Sequence, residues 1–352
     1  MKIIIFQEYV PEYRIDFFNQ LNDDYDDFVV YVPENRISNK VKKYQWLSTI
    51  GNNYNFLSLF SYTKNISHIP ISRESIVVIL GNPRSLASLY LLFKCIFFGA
   101  KSVWWGHYHT AGSNFLLKRI RLAFASIASA RLFYVEKETD LYSDFLLSKN
   151  NNNYSLNNGL NIHPIKSNSK KYNSSKRQKS ILFIGRITKK SNFSLLFNAV
   201  NSLNGGIHLH VISDAGETTK SNYFSPHITF HPFTYDEELI SKVANSCLFF
   251  VYAGSVGLSL IHAMSYGLPV LIHNNFDHQM PEAYATKILD VGLTFEENNL
   301  SDLRDKLLRM SNSNLLDHWS ENALTVTSSK FNTNCMARNF KGMINSISRF
   351  YE

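Results

Sequence analysis

Residues 251–270, VYAGSVGLSLIHAMSYGLPV, restrict the possible architectures more than any other stretch of the chain. The apolar run Leu248-Phe249-Phe250-Val251-Tyr252 reads as a buried strand, and the small residues at 253–257 read as a turn. Residues 258–266 then have helical spacing, Gly267 stops the helix, and a further apolar strand opens after Pro269. A strand that passes through a glycine-rich turn into a helix converges backbone N–H groups on one spot. The partial positive charge of a helix N-terminus makes that spot attractive to phosphate. His262 falls inside the helix, where a ring nitrogen can reach a bound nucleotide.

The same alternation runs through the rest of the chain. Apolar strands at 3–6, 28–32, 76–80, 102–105 and 131–135 are separated by helical patterns at 13–21, 86–98 and 115–129. After residue 180 the pattern resumes with strands at 181–184, 207–212, 228–230, 248–252 and 270–272. Continuous apolar strands alternating with helices predict parallel sheets covered on both faces. A chain of 352 residues exceeds one typical core. We therefore expect an α/β fold of two doubly wound Rossmann-like domains, residues 1–155 and 181–330. The Asn-, Ser- and Lys-rich segment 156–180 reads as an exposed, mobile linker. Residues 331–352 have helical spacing at Met336, Phe340, Met343, Ile344 and Ile347, and are expected to pack back on the first domain.

Composition narrows the partners. The net charge is +8 and the pI about 9.2, which calls for an anionic partner: nucleic acid, an acidic membrane or a phosphorylated substrate. No nucleic-acid-binding module or interleaving of aromatic and basic residues is present, which disfavours the first. Neither half has GxGxxG after its first strand, and GxxxxGK[ST] is absent, so dinucleotide oxidoreductases and P-loop enzymes are disfavoured. Cys95, Cys247 and Cys335 are widely spaced in apolar surroundings and read as buried thiols, with no metal or redox motif. The N-terminus MKIIIFQEYVPEYR reads as a first strand rather than a signal peptide. The apolar stretch 86–100 is interrupted by Lys94 and falls short of the ~20 residues of a membrane span. A cytosolic protein touching a membrane surface is the expectation.

Four segments, in order, resemble the landmarks of the retaining nucleotide-sugar glycosyltransferases of family 4 (group 1), which have the GT-B fold. The first is Gly185-Arg186 at the end of a strand, with Lys190 four residues on. The second is the strand end VISDAG at 211–216, carrying Asp214. The third is HPFTYDEE at 231–238, carrying Phe233, and the fourth is the 254–270 block. The resemblance covers about residues 181–300 well and the first half only in architecture. It implies two domains facing a cleft, with the donor on the second. Where the family has two glutamates, this chain has Gly254 and His262; the next acid is Glu282 in QMPE at 279–282. In that respect it is similar to a branch of bacterial surface-polysaccharide transferases.

The chemistry this implies is transfer of a sugar from a UDP- or GDP-sugar to a lipid-linked oligosaccharide in O-antigen, capsule or exopolysaccharide synthesis, on the cytoplasmic face of the inner membrane. Arg186 and Lys190 would stabilise the leaving diphosphate through charge-assisted hydrogen bonds, with no metal or other cofactor. Gly257 and Leu258 would offer backbone N–H groups, and His262 would bond the ribose or a phosphate. Glu282, or else backbone groups, would take the role of the missing glutamate. In the first domain, His107 would bond a hydroxyl of the transferred sugar, with His109 as the alternative. Tyr13, Arg14 and Arg84 follow first-domain strands and are candidate acceptor contacts, Arg14 and Arg84 being equally readable as surface salt-bridge partners. The basic amphipathic stretch 114–133 reads either as a membrane-surface element or as a core-facing helix with solvated cations. Two other functions fit the fold: an inactive scaffold homologue, favoured by the missing glutamates, and a nucleotide-sugar epimerase, disfavoured by the apparent lack of carboxylates around the sugar.

Overall fold

The run Lys-Ile-Ile-Ile-Phe at the start of the chain has apolar side chains on both faces of a strand, and the structure uses both. Ile3 and Ile5 of strand β1 (Lys2–Phe6) enter one core, and Ile4 and Phe6 enter the other. The computed structural model describes residues 1–56, 59–108, 115–146 and 152–348. The chain forms two units, Met1–Asn158 with Thr333–Glu352, and Gly159–Asn332.

In the first unit β1 is followed by α1 (Ile15–Asp24), β2 (Phe28–Pro33), β3 (Leu47–Ile50), β4 (Asn53–Phe56), β5 (Phe60–Thr63) and β6 (Ser75–Leu80). Then come α2 (Leu86–Phe98), β7 (Lys101–Trp105), α3 (Phe115–Ile127), β8 (Ala130–Phe133), α4 (Glu136–Leu146) and β9 (Asn153–Ser155). The parallel sheet has the order β3-β2-β1-β6-β7-β8-β9, while β4 and β5 form a separate antiparallel hairpin. α1 covers one face together with the C-terminal helix Thr333–Ser348, Phe17 meeting Phe340 edge-on at 5.9 Å. α2 and α3 cover the other. The strand order reverses between β1 and β6, so the loops leaving these strands, residues 7–14 and 81–85, diverge there and open a binding crevice.

The second unit begins with α5 (His163–Asn168) and β10 (Ser180–Ile184). It continues through α6 (Phe193–Asn201), β11 (His208–Ser213), α7 (Glu217–Asn222), β12 (Ile228–Pro232), α8 (Glu237–Ala244) and β13 (Phe249–Tyr252). Next are α9 (Leu258–Ser265), β14 (Val270–His273), β15 (Gly292–Phe295), α10 (Leu300–Ser311) and α11 (Leu316–Ser329). Its parallel sheet has the order β12-β11-β10-β13-β14-β15. Numbered within the unit this is 3-2-1-4-5-6, the order of the doubly wound Rossmann sheet, with its switch point between β10 and β13.

The segment expected as a mobile linker at 156–180 is built into the units. Leu156, Asn157 and Asn158 are buried, as are Ile165 and Tyr172. The Tyr172 hydroxyl donates to the Leu248 carbonyl at 2.6 Å, and Arg177, stacked over Tyr172 at 4.2 Å, donates to the carbonyls of Ala244 and Cys247. A few anchoring residues at intervals fix a polar segment that composition alone presents as solvated. The three cysteines are buried and free, and burial pushes the thiols of Cys95 and Cys247 up to about 12 and about 11.

Candidate functional site

At the switch point of the second sheet, β10 is buried along its whole length and ends at Gly185, whose φ of 151° suits glycine. A β-carbon there would also press on the Tyr252 ring at 3.2 Å. The chain then emerges at Arg186 and turns through Lys189–Ser191, where the Thr188 N–H donates to Ser191 Oγ at 3.0 Å. Arg186 and Lys190 are both exposed, and among the described residues neither makes an ion pair or a side-chain hydrogen bond. Arg186 lies close enough to Tyr252 to pull its phenol down electrostatically, although burial prevails and pushes the group up to about 12.

The turn after β13 is joined to this loop through the backbone. The Ser255 N–H donates to the Lys190 carbonyl at 2.9 Å. Gly254 sits so close that a β-carbon would be driven into that same carbonyl and into Ser191. A glutamate at this position is sterically impossible in this backbone. Below the turn, Gln279 is buried; its Oε1 accepts from the Val256 N–H at 2.8 Å and its Nε2 donates to the His273 carbonyl at 3.2 Å. Three residues on, Glu282 is buried, with Oε2 3.8 Å from where a β-carbon on Gly257 would stand. The QMPE segment thus sets a carboxylate beside Gly257 and the start of α9.

His262 faces out of α9 toward α8, where its Nε2 lies 3.0 Å from Glu237 Oε2. The same carboxylate oxygen accepts from the Tyr266 hydroxyl at 2.6 Å. Burial alone would push the Glu237 carboxyl up, but the hydrogen bond and charge of His262, with the Tyr266 hydroxyl, outweigh it and hold the group below its usual range. Burial and the neighbouring carboxylate push Tyr266 far up, so it serves as a fixed donor. Sequence reasoning missed Glu237. It sits in the run Asp236-Glu237-Glu238, of which Asp236 caps the helix and Glu238 pairs with Lys242 on the surface, leaving Glu237 alone turned inward. The expected lack of carboxylates is corrected on this point: Glu237 and Glu282 flank α9.

Asp214 is exposed at the end of β11, and Phe233 is half-exposed beyond β12, edge-on to Tyr235 at 4.8 Å. Gly185, Arg186, Lys190, Asp214, Phe233, Gly257 and Leu258 therefore share the carboxyl edge of one sheet.

In the first unit, His107 follows β7 and stacks on Tyr134 at 4.1 Å with an interplanar angle of 15°. Its Nδ1 lies 4.0 Å from Oε1 of the buried Glu138, which accepts from the backbone N–H groups of Tyr108 and Tyr134. His109 lies outside the described residues. Tyr13 is partly exposed, but Arg14 is buried, against its reading as a surface salt-bridge partner: the guanidinium lies over the rings of Trp105, Tyr13 and Tyr134 at 5.0, 5.5 and 6.0 Å. Arg84 is exposed, and its positive charge bears on Arg121 of α3.

A family model described as glycosyl transferases, group 1, matches residues 164–326, within the second unit. Among solved structures, HepE of Anabaena in complex with UDP superposes with a TM-score of 0.70 at 12% identity, covering 98% of this chain and all of that one. The lipopolysaccharide outer core galactosyltransferase WaaB, in its apo form, gives 0.66 at 14% identity, with 98% and 99% covered. A mutant TarM of S. aureus in complex with fondaparinux, alpha-GlcNAc-glycerol and UDP gives 0.60 at 16% identity; the match covers 83% of this chain and 61% of TarM. No curated protein matches the sequence. The fold is the GT-B fold of two Rossmann-like domains, and the protein is a glycosyltransferase. Its second unit carries the group 1 glycosyltransferase domain.

Proposed function

We propose that the protein moves a sugar from a UDP-sugar to a lipid-linked saccharide in the assembly of a bacterial surface polysaccharide, with retention of anomeric configuration and without a metal ion. In the reaction the bond from the anomeric carbon to the diphosphate oxygen breaks, a bond to an acceptor hydroxyl oxygen forms, and negative charge builds on the leaving diphosphate. The observation that carries this reading is the pair Arg186 and Lys190, two exposed cations at the switch point that pair with no anion among the described residues, on a loop tied through the Lys190 carbonyl to the turn that opens α9. Cations beside converging N–H groups favour the leaving diphosphate over the bound ester. His262, with Glu237 and Tyr266 behind it, meets the nucleotide, and Glu282 beside Gly257 supplies the carboxylate that position 254 has no room for. UDP rather than GDP is supported by the UDP in the HepE and TarM complexes. The lipopolysaccharide role of WaaB supports the surface-polysaccharide setting. His107 is assigned to the transferred sugar, and Tyr13, Arg14 and Arg84 to the acceptor.

Contact with an anionic membrane is supported by the first unit. Between positions 36 and 135 the chain has thirteen Lys and Arg against Glu74 alone, a net of +12 in a protein whose total is +8. On the same unit Leu86, Tyr90, Phe93 and Phe97 form an exposed stripe along α2, Phe97 being 84% exposed. The hairpin packed beside α2 adds exposed Tyr54, Phe56, Phe60 and Tyr62. Apolar and aromatic side chains set in a basic surface suit the headgroup region of an acidic bilayer. Among the described residues no helix is long and apolar enough to cross a membrane. This surface is α2 and the hairpin, rather than the stretch 114–133 alone.

Calorimetric titration with UDP and GDP tests the donor assignment. UDP is expected to bind the intact chain, and Arg186→Ala and Lys190→Ala are each expected to lower turnover at least about tenfold, some 1.4 kcal/mol of barrier. Full turnover in both variants would remove the diphosphate assignment, and absence of any nucleotide binding would favour an inactive scaffold.

A further inference from the structure

We propose that the carboxyl end of the first sheet holds a site for an acidic sugar, in which the Arg14 guanidinium receives an oxyanion, carboxylate or phosphate, carried by the acceptor glycan. That the glycan is the acceptor rests on the transferase reading; the anion site itself rests on the first unit alone.

An arginine only 5% exposed is expected to have a carboxylate or several carbonyls around its guanidinium, because an uncompensated buried cation is costly. Arg14 has neither among the described residues. Its neighbours are the faces of Trp105, Tyr13 and Tyr134, which attract a cation but accept none of its N–H bonds in plane. Its Nη1 is buried without an acceptor, and so are two other donors, the indole Nε1 of Trp105 and the amide Nε2 of Gln7. All three residues line one recess of about 90 Å³ beyond the ends of β1, β6, β7 and β8. The carboxylate that lines it, Glu8, accepts from Ser61 Oγ at 2.8 Å and lies beyond ion-pair distance of Arg14.

Three buried donors of different geometry with no acceptor define what is missing: a compact group rich in acceptor oxygens. At about 30 Å³ per water the recess has room for roughly three waters, enough for a carboxylate or a phosphate group. The planar fork of a guanidinium matches either oxyanion with paired hydrogen bonds, and its aromatic bed fixes it in position before the ligand arrives. The remainder of the sugar would lie at the mouth, where Tyr13 is exposed.

Calorimetry on the full chain with glucuronate, glucose 1-phosphate, glucose and inorganic phosphate separates the sources. At least one of the two acidic sugars is expected to bind at least tenfold more tightly than glucose, and the better of them names the oxyanion. Arg14→Met, of similar length and uncharged, is expected to abolish that preference while its melting temperature stays at or above the wild-type value, because a buried cation without a partner has been removed. Arg14→Lys, which keeps the charge but not the fork, is expected to weaken the preference too and covers the case in which Arg14→Met does not fold. Equal affinity for acidic and neutral sugars in the wild type, an unchanged preference in the variants, or inorganic phosphate binding as tightly as the sugar acids would each overturn the proposal. UDP titration of the same samples keeps the two readings apart. Loss of the acid preference with intact UDP binding leaves the transferase standing, and absence of UDP binding in the wild type leaves the anion site standing without its acceptor role.

Discussion

His262 Nε2 and Glu237 Oε2 lie 3.0 Å apart across α9 and α8, and the Tyr266 hydroxyl holds the same carboxylate oxygen from one helical turn further on. The imidazole is thus oriented by a group 25 positions away in sequence, and the carboxylate stays charged because two partners offset its burial. Glu237 acts through His262, so its removal should weaken donor binding more than it slows the chemical step. Glu237→Gln is expected to raise KM for the nucleotide sugar about tenfold, some 1.4 kcal/mol, with kcat within about threefold of wild type. A fall in kcat at unchanged KM would refute this positioning role.

Arg186 and Lys190 present two positive charges where a divalent ion could otherwise neutralise the diphosphate. Turnover measured after exhaustive chelation, then with added magnesium or manganese, is expected to change less than about twofold. A large rise with either metal would show that the two cations do not carry the leaving-group charge unaided.

Gly254 owes its identity to the Lys190 carbonyl and the Ser191 backbone, which occupy the space of a side chain. Main-chain atoms cannot swing aside as a long side chain can, so Gly254→Ala must part the two loops or shift the start of α9. The expected cost is about 1–3 kcal/mol of stability, together with weaker UDP binding, both read by thermal melts with and without nucleotide. Melting curves like those of the wild type would mean that the loops separate freely.

Much of this was legible in the sequence. The continuous apolar runs at 3–6, 76–80 and 181–184 are strands buried on both faces, and the pattern of 251–270 fixes the turn and α9. The odd residues Gly254, His262 and Glu282 were visible as departures, since each stands in a local motif. What was not legible depends on distance in sequence. Glu237 looks like one of three acids opening a helix, and only the packing of α8 on α9 turns it toward His262. Arg14 looks like a surface cation after a strand, and only the convergence of Trp105 and Tyr134 buries it. The 156–180 segment misled because a few buried residues, such as Tyr172, outweigh a polar composition.

The α2 stripe and the hairpin give membrane contact a specific address. Phe93→Ser with Phe97→Ser removes two exposed rings that contribute little to the core, so folding should be unaffected while partition to vesicles falls. Co-sedimentation with vesicles containing phosphatidylglycerol is expected to drop at least about fivefold in the double variant. It should also drop for the wild type on vesicles of phosphatidylcholine alone, or as salt rises. Binding that ignores both the rings and the lipid charge would assign this face to another role, with a second copy of the chain read out by sedimentation velocity.

On one face of β11 and β12, half-buried, His210 Nδ1 meets His231 Nε2 at 3.0 Å, and His208 lies beside them with Nε2 2.8 Å from Thr229 Oγ1. Burial, then the charges His208 and His231 would carry, holds His210 down to about 4, and His208 and His231 are shifted the same way. In the unfolded chain each titrates near 6.5. Below that pH the unfolded state takes up protons that the native cluster refuses, so stability rises with pH across this window and is complete above about 6.5. The melting temperature is therefore expected to fall steadily from pH 6.5 toward 4. His210→Gln, which removes the most strongly shifted group and keeps a polar contact for His231, should flatten that slope. A variant with the wild-type slope would show that the acid sensitivity lies elsewhere, among the carboxylates.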